Sequence, residues 1–339
     1  AILLQEELKV RYTIWEGIGE DRLIFSRWRD KMLHDMALLV KNGIEKTPNI
    51  LVTADFSREY KDEVRVPKEK FNCKNNKTMT REEVIAQNPW VEVAAKIQKC
   101  IDTKNWYYEG GFICEADKSI IEAHNKKCDD SASPNKTKCK YLIEPTPYVY
   151  SGNILNAKVV ILSLNPGYSE DIQKTQFDNM SDTEKIVYYQ SIIDDLNFRA
   201  ERMIETTVEK YESNKYWTDK LSSLWKGNKA IENINKDTVM KNFALLQSVG
   251  YRSIENAEFK DLGRFPSSRF VYKIIDYLAT QSDCLFIILR RNYFWEYLLD
   301  IKDVKSDRII RLNSPRATTI SRGNMSEEDF KKISNALKE

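Results

Sequence analysis

One apolar stretch constrains the fold of this chain more than any other. Residues 158–164 read Lys-Val-Val-Ile-Leu-Ser-Leu and run directly into Asn165-Pro166-Gly167. Five apolar residues without alternation, three of them β-branched, predict a strand that is buried on both faces and ends in a turn. Open α/β sheets bind ligands at such strand ends. We therefore expect Asn165 to face a crevice; the plainer alternative is an ordinary exit from strand to loop.

Strand and helix patterns alternate along the rest of the chain. Residues 242–249 and 284–289 are further apolar runs, residues 308–312, Arg-Ile-Ile-Arg-Leu, are a fourth strand candidate, and capping-box sequences at Thr80 and Ser181 predict helix starts. A helix start at Pro266 and a closing helix over residues 326–337 complete the pattern. This alternation predicts an α/β fold, three-layer α/β/α with a central four-stranded parallel sheet.

Three connecting segments carry further expectations. Residues 126–140 are polar and predict an exposed loop, residues 144–152 hold two prolines and predict a stiff extended entry to the central strand, and residues 186–211 predict one or two helices.

A charged stretch, residues 55–77, indicates a domain boundary. We predict a mainly helical N-terminal extension over residues 1–79, with an amphipathic helix near residues 20–42, whose role the sequence leaves open. Residues 80–339 then form the α/β domain.

Composition excludes few classes of function. Lys and Arg total 53 and Asp and Glu total 51, so the net charge of +2 gives no general affinity for nucleic acid, and any basic surface is local. No apolar run approaches the roughly 20 residues of a membrane span, and the first seven residues become acidic before a signal-peptide core forms. A cytoplasmic location is the expectation.

The six cysteines include no Cys-x-x-Cys pair and are too sparse for a disulfide framework. Cys114, His124, Cys128 and Cys139 share one polar stretch, and His124 and Cys128 have the spacing to meet on one helical face. Zinc sites usually have more closely spaced ligand pairs, so we expect no metal. We expect no cofactor either.

Two turns match a known family. Leu164-Asn165-Pro166-Gly167-Tyr168-Ser169 resembles the first motif of the uracil-DNA glycosylase superfamily, in its mismatch and thymine glycosylase branch, where Asn-Pro-Gly replaces the Asp-Pro-Tyr of the uracil enzymes. Residues 313–321, Asn-Ser-Pro-Arg-Ala-Thr-Thr-Ile-Ser, resemble a variant of the second motif. The resemblance covers residues 80–339 and implies a DNA partner with a flipped nucleotide and a monofunctional N-glycosylase activity.

The resemblance implies a role for each matching residue. Asn165 would orient the attacking water and Asn313 would bond the base oxygen that gains charge, so both are catalytic candidates. Gly167 and Tyr168 would border the base, Phe177, twelve residues after Asn165, would stack on it, and Gln247 would read its edge. An amide is no general base, so the sequence leaves open whether Glu170, Asp171 or Asp178 assists.

Serines and arginines in the loops are the candidates for DNA contact, by bonding phosphates or filling the gap left by a flipped base. These residues are Ser169, Ser267, Ser268, Ser314, Arg316, Ser321 and Arg322.

The sequence leaves alternatives open for both the substrate and the class of function. Glycine at position 167, where the uracil enzymes have tyrosine, favours a pyrimidine with a C5 substituent. The similarity to bacterial glycosylase-like proteins implies a role in defence against phages whose DNA contains glucosylated hydroxymethylcytosine. A non-catalytic binder of modified or flipped bases is the second class. A DNA amino-methyltransferase is weaker, because its glycine-rich cofactor turn is missing.

Overall fold

The computed structural model describes residues 79–131, 134–255, 265–289, 292–302, 304–314 and 317–338. Within these residues the chain is an α/β protein with one mixed, mostly parallel sheet in the order β1-β3-β2-β4-β5. Its strands are β1 (Tyr150–Ser151), β2 (Val159–Ser163), β3 (Phe243–Gln247), β4 (Leu285–Ile288) and β5 (Ile309–Arg311).

Strands β2 to β5 are parallel and confirm the four predicted apolar strands. The sheet has a fifth strand, because β1 pairs antiparallel with β3. The sequence predicted a stiff, extended entry to the central strand here, not a strand of the sheet. Two strand residues between a proline-rich run and a glycine are too short to show an alternating pattern.

The strand order places polar turns where a ligand site is expected. After the edge strand β1, the chain enters the centre of the sheet at β2, crosses to β3 on one side and then to β4 and β5 on the other. The connection therefore changes direction between β2 and β4, and open sheets of this kind bind ligands outside the carboxyl ends at such a point. The turns after β2, β3 and β5 all leave this carboxyl edge.

Strands β2 and β3 carry a polar residue only at their last position, and β4 carries none. Almost all side chains of these three strands are therefore buried in the sheet. Alternate residues of these strands, such as Ile161, Leu245 and Ile287, share one apolar cluster with Trp217 and Phe330 from two helices. Burial of each such side chain contributes about 1.5–3 kcal/mol to the free energy of folding.

The capping boxes predicted at Thr80 and Ser181 are both formed. The helices are α1 (Arg81–Ala86), α2 (Val91–Thr103), α3 (Lys118–Asp129), α4 (Pro134–Thr137), α5 (Thr175–Asp178), α6 (Asp182–Leu196), α7 (Glu212–Leu221), α8 (Lys236–Asn242), α9 (Pro266–Gln281), α10 (Asn292–Ile301) and α11 (Glu327–Lys338).

Two segments differ from the predictions. Residues 126–140 are not all loop, because α3 continues to Asp129 and α4 follows. The helical pattern of residues 186–211 gives one long helix that ends at Leu196, followed by a single 3-10 turn, Thr206–Val208. Asn197 and Phe198 end α6, the latter with a left-handed φ of 56°.

Helix α10 belongs to a different compact unit from the sheet. The predicted amphipathic helix near residues 20–42 and the charged stretch 55–77 lie outside the described residues, as does nearly all of the predicted extension 1–79. None of the helices in the described part of the chain combines the length and apolar character needed to cross a bilayer.

Candidate functional site

Asn165 lies two residues after the end of β2 and is half-buried at the carboxyl edge of the sheet. Its Nδ2 donates to Ser253 Oγ at 2.7 Å, and the Ser253 hydroxyl in turn donates to the carbonyl of Glu255. Since a hydroxyl has one proton, Ser253 Oγ can only accept from Asn165, which fixes the orientation of the amide. Asn165 Oδ1 is buried and has no hydrogen-bond partner among the described residues. This oxygen is therefore positioned to accept a hydrogen bond from a water or a ligand.

The Asn-Pro-Gly turn is held by backbone hydrogen bonds to the segment after β3. Ser253 N–H donates to Pro166 O at 3.2 Å, and Tyr168 N–H donates to Ser253 O at 3.0 Å. Gly167 and Ser253 thus form a parallel bridge beyond the ends of their strands. The turn is fixed before any ligand enters, which lowers the entropic cost of binding.

Gln247 is the last residue of β3 and lies in register with Ser163 of β2. Its side chain is only 2% exposed, and Oε1 is buried without a partner in the described part of the chain. A buried amide oxygen without a hydrogen bond costs about 1–3 kcal/mol. Gln247 and Asn165 therefore place two unsatisfied acceptors at the ends of neighbouring strands.

Gly167 is exposed, and a Cβ built on it would meet no atom within 4 Å. Its φ lies outside the left-handed region, so the backbone does not require glycine here. The absent side chain leaves open space beside the turn.

Phe177 lines a cleft of about 480 Å³, a volume that includes its solvent-open mouth. One face of its ring stacks on Tyr189, with the centroids 5.2 Å apart and the planes at 24°. The cleft is lined by Tyr107, Glu144, Pro145, Thr146, Tyr168, Gln173, Lys174, Phe177, Tyr188, Tyr189 and Arg252. The structure therefore brings Tyr168 and Phe177 together here, but Asn165, Gln247 and Asn313 are not among the lining residues.

Asn313 lies at the same edge of the sheet as Asn165, two strands away. Leu162 pairs with Ile288, which pairs with Arg311 of β5, so the two turns begin at similar heights. Two spacings of about 4.8 Å separate β2 from β5 by roughly 10 Å. Asn313 is exposed.

Asn324, which the sequence analysis missed, organises the loop after β5. Its Oδ1 accepts from Ser314 N–H at 2.9 Å, and its Nδ2 donates to the carbonyls of Ala317 and Thr319. Asn313 N–H donates to Asn324 O at 2.8 Å. The local Gly-Asn sequence resembles any turn, so only the folded loop shows this role.

The predicted DNA-contact residues differ in accessibility. Ser267 and Ser268 are 1% and 2% exposed at the start of α9, and their hydroxyls, like the amide oxygen of Gln247, are buried without a hydrogen-bond partner in the described part of the chain. Arg322 is exposed, but it pairs with Glu327 at 3.2 Å. Ser169, Ser314 and Ser321 are half-buried in loops, and Arg316 lies outside the described residues.

The carboxylates near Asn165 are placed at the surface. Glu170 and Asp171 are exposed. Asp178 accepts hydrogen bonds from the Tyr107 hydroxyl and from Lys174 at 2.9 Å, and these hold the pKa of Asp178 below its usual range. Burial, reinforced by Asp178, raises the pKa of Tyr107 to about 12. Asp178 thus belongs to the rim of the cleft.

His124 and Cys128 meet as their spacing predicts, with Cys128 Sγ 3.4 Å from His124 Nε2. That nitrogen also lies 3.0 Å from the carbonyl oxygen of Cys139. Across the described residues, the structure assembles no group of three or more His, Cys, Asp or Glu side chains suited to a metal ion.

A half-buried acid that the sequence did not indicate, Asp195, lines a second cavity of about 460 Å³, open solvent included, which shares Tyr188 and Arg252 with the cleft. Asp195 Oδ1 accepts from Gly152 N–H at 2.8 Å. Burial raises the pKa of Asp195 well above its usual value of 3.8.

This shift predicts a pH-dependent effect of Asp195→Asn. Because the folded-state pKa is raised, the folded protein binds more protons than the unfolded one above pH 3.8, and its free energy of unfolding falls as pH rises through the folded-state pKa. We expect the asparagine variant, which keeps the acceptor for Gly152, to be more stable than wild type at pH 7 and to lose this advantage near pH 4. Urea unfolding of both proteins between pH 4 and pH 7 measures the difference in stability. A wild type that is more stable than Asp195→Asn at pH 7 would contradict the prediction.

Comparisons of the chain with protein-family models, with curated proteins and with solved structures find no significant match.

Proposed function

We propose that this chain is a monofunctional DNA glycosylase that removes a flipped, C5-modified pyrimidine and leaves an abasic site. The supporting observation is that two buried amide oxygens, Asn165 Oδ1 and Gln247 Oε1, lie at neighbouring strand ends and have no hydrogen-bond partner among the described residues. The proposal includes a three-layer α/β/α arrangement around the four parallel strands. It also includes membership of the uracil-DNA glycosylase superfamily, on the motifs at Asn165 and Asn313.

The proposed reaction breaks one bond and forms another. The C1′–N1 bond of the nucleotide breaks, the base leaves with the electron pair, and a water adds to C1′ of the oxocarbenium-like sugar. Asn165 Oδ1 accepts a hydrogen bond from that water, while Ser253 holds the amide in place. The proton of the water passes to solvent or to the departing base, because a neutral amide cannot keep it.

Base recognition follows from the remaining groups. The amide of Gln247 offers both a donor and an acceptor, so it can bond the edge of a cytosine-type or a uracil-type base. Asn313 would donate to the base oxygen that gains negative charge, which stabilises the transition state. Phe177 lines the cleft as an aromatic side chain, and the open space at Gly167 accepts a substituent at C5.

The test is a panel of duplex oligonucleotides that carry uracil, a thymine mismatch, 5-hydroxymethylcytosine or its glucosylated form. Strand breaks after alkali treatment report abasic sites. Gln247→Ala should reduce breaks at least about 10-fold, since a lost base contact costs 1–3 kcal/mol. Asn156→Ala is the matched control, because Asn156 is exposed and precedes β2 at the opposite edge of the sheet.

Gly167 gives a prediction about the substrate. Gly167→Tyr should fold with a free energy of unfolding within about 0.5 kcal/mol of wild type, because the side chain enters open space. It should reduce excision of the C5-substituted substrate at least about 10-fold and leave excision of an unsubstituted pyrimidine nearly unchanged. Thermal unfolding and the same alkali assay measure both effects. An equal loss on both substrates would contradict a pocket that admits the C5 group at this position.

A non-catalytic base-binding module is the second candidate. The side-chain partner of Asn165 is the Ser253 hydroxyl, and Asp178 is engaged with Tyr107 and Lys174. A site without a carboxylate at the reacting water fits binding as well as slow hydrolysis. Retention of the modified duplex without alkali-labile breaks at any substrate in the panel would favour the module.

A further inference from the structure

Arg252 is a buried cation at the carboxyl edge of the sheet, only 4% exposed. Its Nε donates to Thr146 O at 2.9 Å and its Nη1 to Gly167 O at 3.3 Å. The guanidinium carbon lies 5.7 Å from the ring centre of Tyr148 and 6.0 Å from that of Tyr168. The head group is therefore fixed between two aromatic rings and tied to the Asn-Pro-Gly turn.

Three acidic residues, Asp194, Asp195 and Glu205, line the adjoining cavity together with Arg252. No carboxylate of the described residues forms an ion pair with it, and its bonds to Thr146 and Gly167 use only two of its five N–H groups. Burying a cation without an anion is unfavourable. The guanidinium lines both the cleft and the adjoining cavity, so its remaining donors face space that a ligand can reach.

The rest of the cleft suits a planar ring. Tyr107, Tyr168 and Phe177 line it, and Tyr107 is 43% exposed at the mouth. The other cation there, Lys174, is paired with Asp178 at 2.9 Å. Among the described lining residues, the cleft combines aromatic surface and the exposed carboxylate of Glu144 with one buried cation that forms no ion pair, Arg252, which matches a ring that carries an anionic group.

We propose that Arg252 binds the phosphate of a nucleotide whose base lies against the aromatic wall of this cleft. The phosphate belongs either to a DNA strand or to a free mononucleotide. The proposal requires binding only, so it does not depend on bond cleavage at Asn165.

The experiment measures calorimetric Kd values of the full chain for thymidine 5′-monophosphate, thymidine, inorganic phosphate and a single-stranded oligothymidylate with 5′-hydroxyl and 3′-hydroxyl ends. Wild type should bind the monophosphate at least 10-fold more tightly than thymidine. Arg252→Gln should abolish this difference and leave thymidine binding within twofold of wild type. Arg199→Gln, at an exposed arginine paired with Asp194, is the matched control and should keep it.

The oligonucleotide distinguishes the two sources of phosphate. Tighter binding of the oligothymidylate than of the monophosphate, sensitive to Arg252→Gln, assigns the site to a DNA strand; the reverse order assigns it to a free nucleotide. Equal Kd values for monophosphate and thymidine in wild type, or an unchanged difference in Arg252→Gln, overturn the proposal.

Two further variants keep the test independent of folding and of catalysis. If Arg252→Gln does not fold, Arg252→Lys keeps the charge but loses the two-point attachment, and it should retain part of the phosphate-dependent difference; no change in the lysine variant would overturn the proposal. Asn156→Ala, at the opposite edge of the sheet, should bind the monophosphate as wild type does, and the binding readout requires no bond cleavage. If the alkali assay detects no excision, the phosphate-binding proposal is therefore unaffected. If nucleotide binding is not observed, the alkali assay still tests the excision proposal separately.

Discussion

Replacing Asn165 with alanine is expected to lower the rate of excision at least about 100-fold, since removing a single positioned group that acts in the transition state typically costs this much. The substitution removes the acceptor Oδ1 and the donor to Ser253 together. Because Asn165 is half-buried in a turn held by backbone bonds, the variant should still fold. Single-turnover cleavage of the best substrate of the panel measures the rate.

The comparison with Asn165→Asp tests the role of the amide. A carboxylate can accept a proton from the attacking water, whereas an amide only orients it, so the aspartate variant should exceed wild type in rate. Both Oδ atoms of the new carboxylate are acceptors, so the Ser253 hydroxyl would have to donate to the carboxylate instead of to the carbonyl of Glu255. Wild-type rates in Asn165→Ala would show that Asn165 has no part in excision.

Replacing Asp117 with alanine is expected to lower the free energy of unfolding by about 3 kcal/mol, because two buried donors lose their acceptor. Asp117 is fully buried; its carboxylate accepts from Tyr251 Oη–H at 2.6 Å and from Ser267 N–H at 3.1 Å. Ser267 lies in the first turn of α9, so Asp117 caps that helix from a distant part of the chain. Urea unfolding monitored by circular dichroism measures the change.

Two variants accompany this measurement. Asp117→Asn keeps an acceptor for Ser267 N–H and should cost less than alanine. Asp130→Ala, at an exposed aspartate beyond the other end of α3, should stay within about 0.5 kcal/mol of wild type. If Asp117→Ala were as stable as Asp130→Ala, Asp117 would not hold α9 in place.

Strands β2, β3 and β4 could be predicted from the sequence because they are nearly continuous apolar runs, whereas β5 has only two apolar residues before Arg311. Val159–Ser163 is buried along nearly its whole length, so no polar residue obscures its pattern. The capping boxes at Thr80 and Ser181 could also be predicted, because their hydrogen bonds join residues that are only three positions apart in the sequence.

The groups that complete the candidate site depend on contacts between distant residues. Ser253 orients Asn165 across 88 residues, and Arg252 reaches Thr146 across 106. Neither serine nor arginine belongs to a motif at those positions. The burial of Ser267 and Ser268 likewise follows from the packing of α9, which a helix-start pattern does not reveal. Local sequence therefore indicated the turns, and tertiary structure determined which side chains they expose.

The most direct test of the central claim is a crystal structure with duplex DNA that carries a 2′-fluoro-substituted target nucleotide, whose glycosidic bond resists cleavage. The account predicts an extruded pyrimidine within hydrogen-bond distance of Gln247 and a water bound to Asn165 Oδ1 facing C1′. A target base that stays stacked in the duplex, or lies away from the turns after β2 and β3 while both acceptors remain unpartnered, would contradict it.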